Sequence, residues 1–345
     1  ATLAAEALTA EGVEPVSMPL ADGGEGSAEA LAARLGGRWH EETVLGPIGE
    51  PVRARWLMLP DATAVVEVAS AIAPTHLAPQ RRDPTVTTSY GVGQLMRAAL
   101  AHRPRRLVLA LGGSSTCDGG AGMLQALGAT LQGVEAPASG GTLGAARAVE
   151  VPHLEVELVA LCDVAVPLLG ATGAARLFAP QKGATPAQVD LLEAHLTHWA
   201  RTLGPAWAEL PGAGAAGGLG FALAALGARL VSGIDWILDA LPFDAELARC
   251  DVVLTGEGRV DAQTLQGKVV SGVLRRARAL GRPAWLVAGR IDLSPDALRE
   301  LGVAAAVTLA PEGTPAEQSV SCAQDFVAGA VSRLIERWRG AVDSR

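Results

Sequence analysis

Leu107-Val-Leu-Ala-Leu-Gly-Gly-Ser-Ser-Thr-Cys-Asp-Gly-Gly120 is the stretch that decides the fold. Its apolar opening reads as a buried strand, and the glycines that follow stop it ahead of a helix running through Leu127. A buried strand, a glycine loop and a helix in that order form the unit of parallel α/β proteins.

The same order recurs outward from this stretch. Residues 156–161 read as a strand ending at Cys162-Asp163, and 189–203 as a helix. In the last third, strands at 251–255, 284–288 and 303–309 alternate with helices at 265–280, 295–301 and 317–338. That alternation implies right-handed crossovers and a parallel sheet. Toward the start, 1–11 reads as a short helix, and 14–20 as a strand entering Ala21-Asp-Gly-Gly-Glu-Gly-Ser27, with a helix through Leu35 beyond. The pattern then changes: Gly46-Pro-Ile-Gly49 and Pro60-Asp61 punctuate β-type runs at 52–59 and 64–68, which read as antiparallel strands, before a helix at 89–101. The expected architecture is α/β: a discontinuous Rossmann-like domain, residues 1–43 and 236–345, built from both chain ends, with a mixed α/β domain inserted at 44–235.

The 345 residues are enough for two domains, and 49% hydrophobic against 19% charged supports a sizeable core. A net charge of −8 argues against nucleic acid or an anionic membrane as partner. Cys117, Cys162, Cys250 and Cys322 lie far apart, which is neither a zinc pattern nor a disulfide framework. No long apolar run or leader pattern is present, and the reading is a cytoplasmic protein. Of 28 basic residues only Lys182 and Lys268 are lysine, and both stand in glycine-bearing loops. Either such a site needs a compact ammonium in place of the guanidinium fork, or these are surface lysines that only solvate.

In open α/β sheets ligands bind beyond the carboxyl ends of the strands. Glycine there admits close backbone approach and aims amide N–H groups at an anion. The loop at 22–27 offers Asp22 and Glu25 around Gly23 and Gly24, although an Asp-Gly turn explains the spacing equally well. Gly112, Gly113, Ser114, Ser115 and Asp118 suit a phosphate cradle or a tight strand–helix connection. Asp163 ends a strand and reads as a cap or as a functional acid. Residues 255–268 bring Glu257, Arg259, Asp261 and Lys268 to one strand end, where the bases can neutralise phosphate charge and the acids can carry a metal, or where all four form a surface ion-pair cluster. Gly212-Ala-Gly-Ala-Ala-Gly217 matches a dinucleotide fingerprint, but Pro211 stands where its strand should be, so a dehydrogenase is rejected. No P-loop is present, since Val269 follows Gly267-Lys268.

These loops resemble the bacterial type I glycerate kinases. The likeness is carried by residues 19–27, 82–91, 112–123, 162–164, 180–183, 211–220 and 255–269, in order along nearly the whole chain. It implies Mg2+- and ATP-dependent phosphorylation of D-glycerate to 2-phosphoglycerate in a cleft between two α/β domains. By the same resemblance Asp22 or Asp163 orients or deprotonates the hydroxyl, and Glu257 or Asp261 holds Mg2+. Lys182, Arg259 and Lys268 face phosphate or carboxylate, and residues 112–115 cradle phosphate. A homodimer is compatible with it. Family members usually begin with a further strand and an Asp-Ser-Phe/Tyr-Lys segment, which this sequence does not contain; Cys117, Ala165-Val166 and Arg290 are smaller departures. Two other readings stay open: a catalytically impaired glycerate-binding relative, and a kinase of another small hydroxy acid.

Overall fold

The computed structural model describes residues 2–261, 264, 269–311, 313–314 and 322–342. They form two compact units, Ala1–Leu20 with Leu238–Arg345, and Ala21–Ile237. One unit is built from both chain ends, and residues 21–43 group with the central unit.

The terminal unit starts with α1 (Thr2–Ala10). The central unit opens with α2 (Ser27–Leu35), then β1 (Arg38–Leu45), β2 (Pro51–Met58) and β3 (Thr63–Glu67). After α3 (Ala69–Ile72) and α4 (Tyr90–Ala101) come β4 (Arg106–Ala110), α5 (Ala121–Ala126), and the small pair β5 (Thr130–Gln132) and β6 (Ala148–Glu150). β7 (Glu157–Cys162), α6 (Ala174–Phe178), α7 (Pro186–Leu203), α8 (Ala215–Ala225), β8 (Arg229–Ser232) and α9 (Gly233–Ala240) follow. Six strands form one mixed sheet in the order β1-β2-β3-β4-β7-β8. β1, β2 and β3 pair antiparallel, while β3, β4, β7 and β8 run parallel.

The parallel strands carry the core. Every residue of β3 is buried, as are residues 107–110 of β4, and helices cover them with Met96, Trp199 and Phe221. Apolar side chains on both faces of a strand are what a sheet covered on both sides requires. α7 opens with a capping box, in which the Thr185 hydroxyl accepts from the Gln188 amide and the Gln188 side chain reaches back to the Thr185 amide. The carboxyl ends of β3, β4, β7 and β8 lie at one end of the sheet, because parallel neighbours point the same way.

The terminal unit continues with α10 (Phe243–Leu247), β9 (Val253–Val260), α11 (Val269–Ala279), β10 (Ala284–Ile291), α12 (Pro295–Glu300), β11 (Val303–Thr308) and α13 (Val327–Val342). Its sheet is parallel in the order β11-β10-β9. Trp285, Val307, Ala330, Val331, Leu334 and Ile335 form its core, against which Ala4, Ala7 and Leu8 of α1 pack. Ser332 of α13 donates to Glu11 at 2.7 Å, tying the first helix to the last.

Three expectations are corrected. Residues 14–20 form no strand, because Pro15 and Pro19 have no N–H to donate to a ladder. The loop at 22–27 therefore starts from no strand of its own. β1 occupies residues left without an element; it is an edge strand with exposed Arg38 and Glu41, the charged dress that edges commonly wear. Residues 229–240, left without an element, form β8 and α9. Among the described residues no helix is long and apolar enough to cross a membrane.

Candidate active site

Two glycine loops meet at the carboxyl end of the central sheet. The Gly112 amide, just past β4, donates to the Gly23 carbonyl at 3.1 Å. A Cβ placed on Gly112 would lie 2.5 Å from the Gly24 Cα, so the backbones touch where only hydrogen fits. The 22–24 segment also runs over β7 and β8. A Cβ on Gly23 would meet Leu161, and one on Gly233 would fall 1.8 Å from the Asp22 carbonyl oxygen. Asp22 and Gly24 are half-buried, while Glu25 and Gly113 are exposed. Gly23, Gly26 and Gly113 adopt φ of 98°, 90° and 76°, a left-handed conformation that side chains resist. Gly23, Gly24, Gly112 and Gly113 therefore form one backbone surface bordered by the Asp22 and Glu25 carboxylates.

Lys182 lies behind this surface. Its Nζ donates to Ser114 Oγ at 2.9 Å and to the Thr116 carbonyl at 2.7 Å, and it is 8% exposed. Burial pulls the ammonium down to about 8, with Cys117 and Asp118 pulling the other way. Lys182, expected to face a phosphate or a carboxylate, places two of its three ammonium donors on the loop itself, at Ser114 and Thr116. Ser115 is likewise turned inward, its amide and hydroxyl both donating to the Ile72 carbonyl, at 2.9 and 2.8 Å.

Asp118, read as a phosphate-loop residue, is fully buried. It accepts from the Ser89 amide and hydroxyl at 2.8 and 2.7 Å and from the Gly120 and Gly122 amides at 3.1 and 3.2 Å. Burial pushes its carboxyl above the ordinary range, and those four bonds pull it back. Asp118 joins the starts of α4 and α5. This is the capping chemistry that helix N-termini select.

Asp163 follows β7 at the same end of the sheet and is half-buried. The glycine-rich run after Pro211 serves packing. Residues 216–218 are left-handed, the Gly119 amide donates to the Gly217 carbonyl at 3.0 Å, and a Cβ on Gly217 would sit 2.0 Å from the Thr116 carbonyl oxygen. No strand precedes it, which agrees with the rejection of a dinucleotide fold.

The remaining candidates belong to the terminal unit. Glu257 and Arg259 lie within β9, and Asp261 follows it. Exposed Arg259 pairs with Asp292 at 2.7 Å and with Asp261 at 3.4 Å, and Arg290 adds a second cation on Asp292 at 2.6 Å. Arg290 and then Arg259 hold the Asp292 carboxyl below its usual range. One oxygen of half-buried Glu257 is buried with no hydrogen-bond partner among the described residues. Lys268 lies outside the described residues. The structure thus brings Asp22–Glu25 loop residues, Gly112, Gly113, Ser114 and Lys182 together in one unit, and Glu257, Arg259 and Asp261 in the other.

Glu67 is the residue that sequence reasoning missed. It ends an entirely buried strand, and its Oε1 accepts from the Ala28 amide at 2.8 Å. The available signal was a glutamate closing the apolar run Ala64-Val-Val.

Comparison with known proteins bears on all of this. A model of the glycerate kinase family matches residues 1–339. A glycerate kinase of Bacillus subtilis (strain 168) is 40% identical over 331 residues, covering 92% of this chain and 86% of its own. A glycerate 2-kinase of Escherichia coli (strain K12) is 41% identical over 302 residues, covering 84% and 79%. The crystal structure of a candidate glycerate kinase 2 from Salmonella typhimurium LT2 superposes with a TM-score of 0.81 at 35% identity, over 99% of this chain and 95% of that one. With the mixed α/β fold and the paired glycine loops, these matches show that the chain belongs to the glycerate kinase family.

Proposed function

We propose that this chain transfers the γ-phosphoryl group of ATP to D-glycerate, producing 2-phosphoglycerate. The observation that carries the reading is the backbone contact between the loops at 22–25 and 112–114, with the Lys182 ammonium behind it. Backbone amides and a desolvated cation favour an anion such as a carboxylate or a phosphate. The likeness to a glycerate kinase of Bacillus subtilis and a glycerate 2-kinase of Escherichia coli supports glycerate as acceptor, and the latter supports the 2-hydroxyl.

Phosphoryl transfer asks little covalent chemistry of a protein; it asks for alignment and charge neutralisation. In this reading Asp22 or Asp163 orients the acceptor hydroxyl and takes its proton as the oxygen attacks. The backbone of residues 113–114 binds an anionic group, the Gly112 and Ser115 amides hold the loop on either side, and Lys182 fixes it from behind. Arg259 and Lys268 supply positive charge for phosphate oxygens.

Mg2+ is the metal the family implies. Among the described residues no group of three or more His, Cys, Asp or Glu is placed to hold an ion. That suits Mg2+, which keeps several waters and is usually bound by one or two carboxylates plus substrate phosphates. The orphaned buried oxygen of Glu257 fits such a role, and Asp261 is the second acid on the same strand end. When bound, Mg2+ neutralises charge on the transferred group.

The test is ADP release from Mg-ATP with D-glycerate, L-glycerate, tartronate and hydroxypyruvate compared as acceptors. D-glycerate should give the highest kcat/KM. A different acid in first place would transfer the kinase to that acid, and binding of glycerate without ADP release would leave a binding protein.

A further inference from the structure

We infer that Glu67 is a positioning residue which supplies the N-terminal cap that the 22–26 glycine loop cannot supply for itself, and so holds that loop in its substrate-binding form. This inference rests on the reading of the two glycine loops as the substrate cradle.

α2 begins at Ser27 directly after the loop, and its N-cap is Gly26, at φ 90° with no side chain to accept a hydrogen bond. The Ser27 hydroxyl is spent on the Gly24 carbonyl at 2.7 Å. Helices ordinarily satisfy their first amides with a local Ser, Thr, Asp or Asn. Here the glycines needed for close approach to Gly112 and Leu161 leave no such residue, and Ala28 is capped instead by a carboxylate 39 positions away in sequence. Negative charge at a helix start is also favoured by the helix dipole.

The segment that follows Glu67 holds the other loop. Val68 donates to the Ala110 carbonyl at 3.0 Å, and the Ile72 carbonyl accepts both Ser115 donors. A Cβ on Gly113 would lie 3.1 Å from the Ala69 Cβ. One corner of chain, residues 67–72, therefore fixes the loop after β4 through its backbone and the loop before α2 through a side chain. A shift at Glu67 reaches both.

Several charged groups face this carboxyl. Glu29, one turn into α2, meets it carboxyl to carboxyl, and Arg55 of β2 pairs with Glu29. A cavity of 250 Å³ beside them is lined also by Glu25, Glu41, Arg53 and His76. Burial, then Glu29, pushes Glu67 up to about 7, against the pull of the Ala28 amide. The cap is thus held among opposing charges, which is costly to keep without a role in positioning.

Glu67→Ala, Glu67→Gln and Glu67→Asp test the inference by steady-state kinetics and by hydrogen exchange of the peptide spanning residues 22–31. E67A removes the acceptor. Exchange in that peptide should quicken about tenfold and the KM for D-glycerate rise about tenfold, with kcat within about threefold. E67Q keeps an acceptor for Ala28 and should restore both to within about twofold. E67D keeps the charge but falls a methylene short, and should behave as E67A does, including where E67A does not fold. Wild-type exchange in E67A or E67D overturns the inference. So does faster exchange with an unchanged KM, or an E67Q variant as impaired as E67A. Absence of turnover by the wild-type protein would refute the proposed function, and the exchange arm would still decide whether Glu67 caps the loop.

Discussion

Gly112→Ala is the smallest change that separates the two loops. Gly112 is not in the left-handed region, so alanine is conformationally acceptable and only space opposes it. The added Cβ would stand 2.5 Å from the Gly24 Cα, where ordinary contact begins at 3.4 Å. The Cβ is fixed by its own backbone and the Gly24 Cα is a backbone atom, so nothing can rotate away, and one loop must retreat by about 1 Å. Overpacking of this kind costs about 1–3 kcal/mol of stability. Misplacement of a reacting group by about 1 Å costs roughly 100-fold in rate. The prediction is a kcat/KM for D-glycerate lowered about 100-fold in a protein whose urea midpoint shifts only modestly. Gly329→Ala is the control. Gly329 lies exposed in α13 with only the flexible end of Arg333 near, and alanine there should stabilise by about 1 kcal/mol with unchanged kinetics. A G112A enzyme within threefold of wild type would show that the contact between the loops is not used.

Three further outcomes follow from the same geometry. Asp118→Ala leaves three backbone amides and a hydroxyl without their buried acceptor, and should cost about 3–5 kcal/mol in urea denaturation. Lys182→Met loses two hydrogen bonds but also a desolvated charge, so stability should move by only about 1 kcal/mol. Its kcat/KM should fall about 100-fold, and a large loss of stability with intact turnover would contradict the role given to Lys182. For Glu67 the folded carboxyl sits at about 7 against 4.5 unfolded. The folded state therefore binds the extra proton, and this stabilisation is full below pH 4.5 and lost as pH rises through 7. E67Q carries no such proton, so its stability relative to wild type should improve by up to about 3 kcal/mol between pH 5 and 8. Parallel stability–pH curves would refute the assignment.

How much of this was legible depended on the range of the interactions. The loop after β4 could be read because five apolar residues and two glycines are adjacent in sequence, and local chemistry alone stops the strand. The alternation in the last third was legible for the same reason, and gave the parallel sheet of the terminal unit. Residues 14–20 misled because they lead into a glycine loop as a strand does, while Pro15 and Pro19 forbid a ladder. β1 was hidden by its own charges, which belong to an edge strand. At the site, the acids of short motifs were easy to see but their partners were not. Asp118 and Asp22 look alike in a glycine loop, yet one is fully buried against Ser89 and the other half-buried at the rim. Lys182 stood out by its rarity, but only the fold shows that two of its donors go to Ser114 and Thr116. Glu67 could not be found from spacing, since its partner Ala28 is 39 positions away.

The most direct test follows the phosphorus atom itself. The chain is mixed with Mg-ATP and D-glycerate, and the reaction is followed by phosphorus NMR with proton coupling retained. The account predicts loss of the γ-phosphate signal and the matching growth of a phosphate monoester split by a single proton, as for 2-phosphoglycerate, and none with L-glycerate. A monoester split by two protons would move the transfer to the 3-hydroxyl. ATP that remains intact, or that yields only inorganic phosphate, would contradict the central claim.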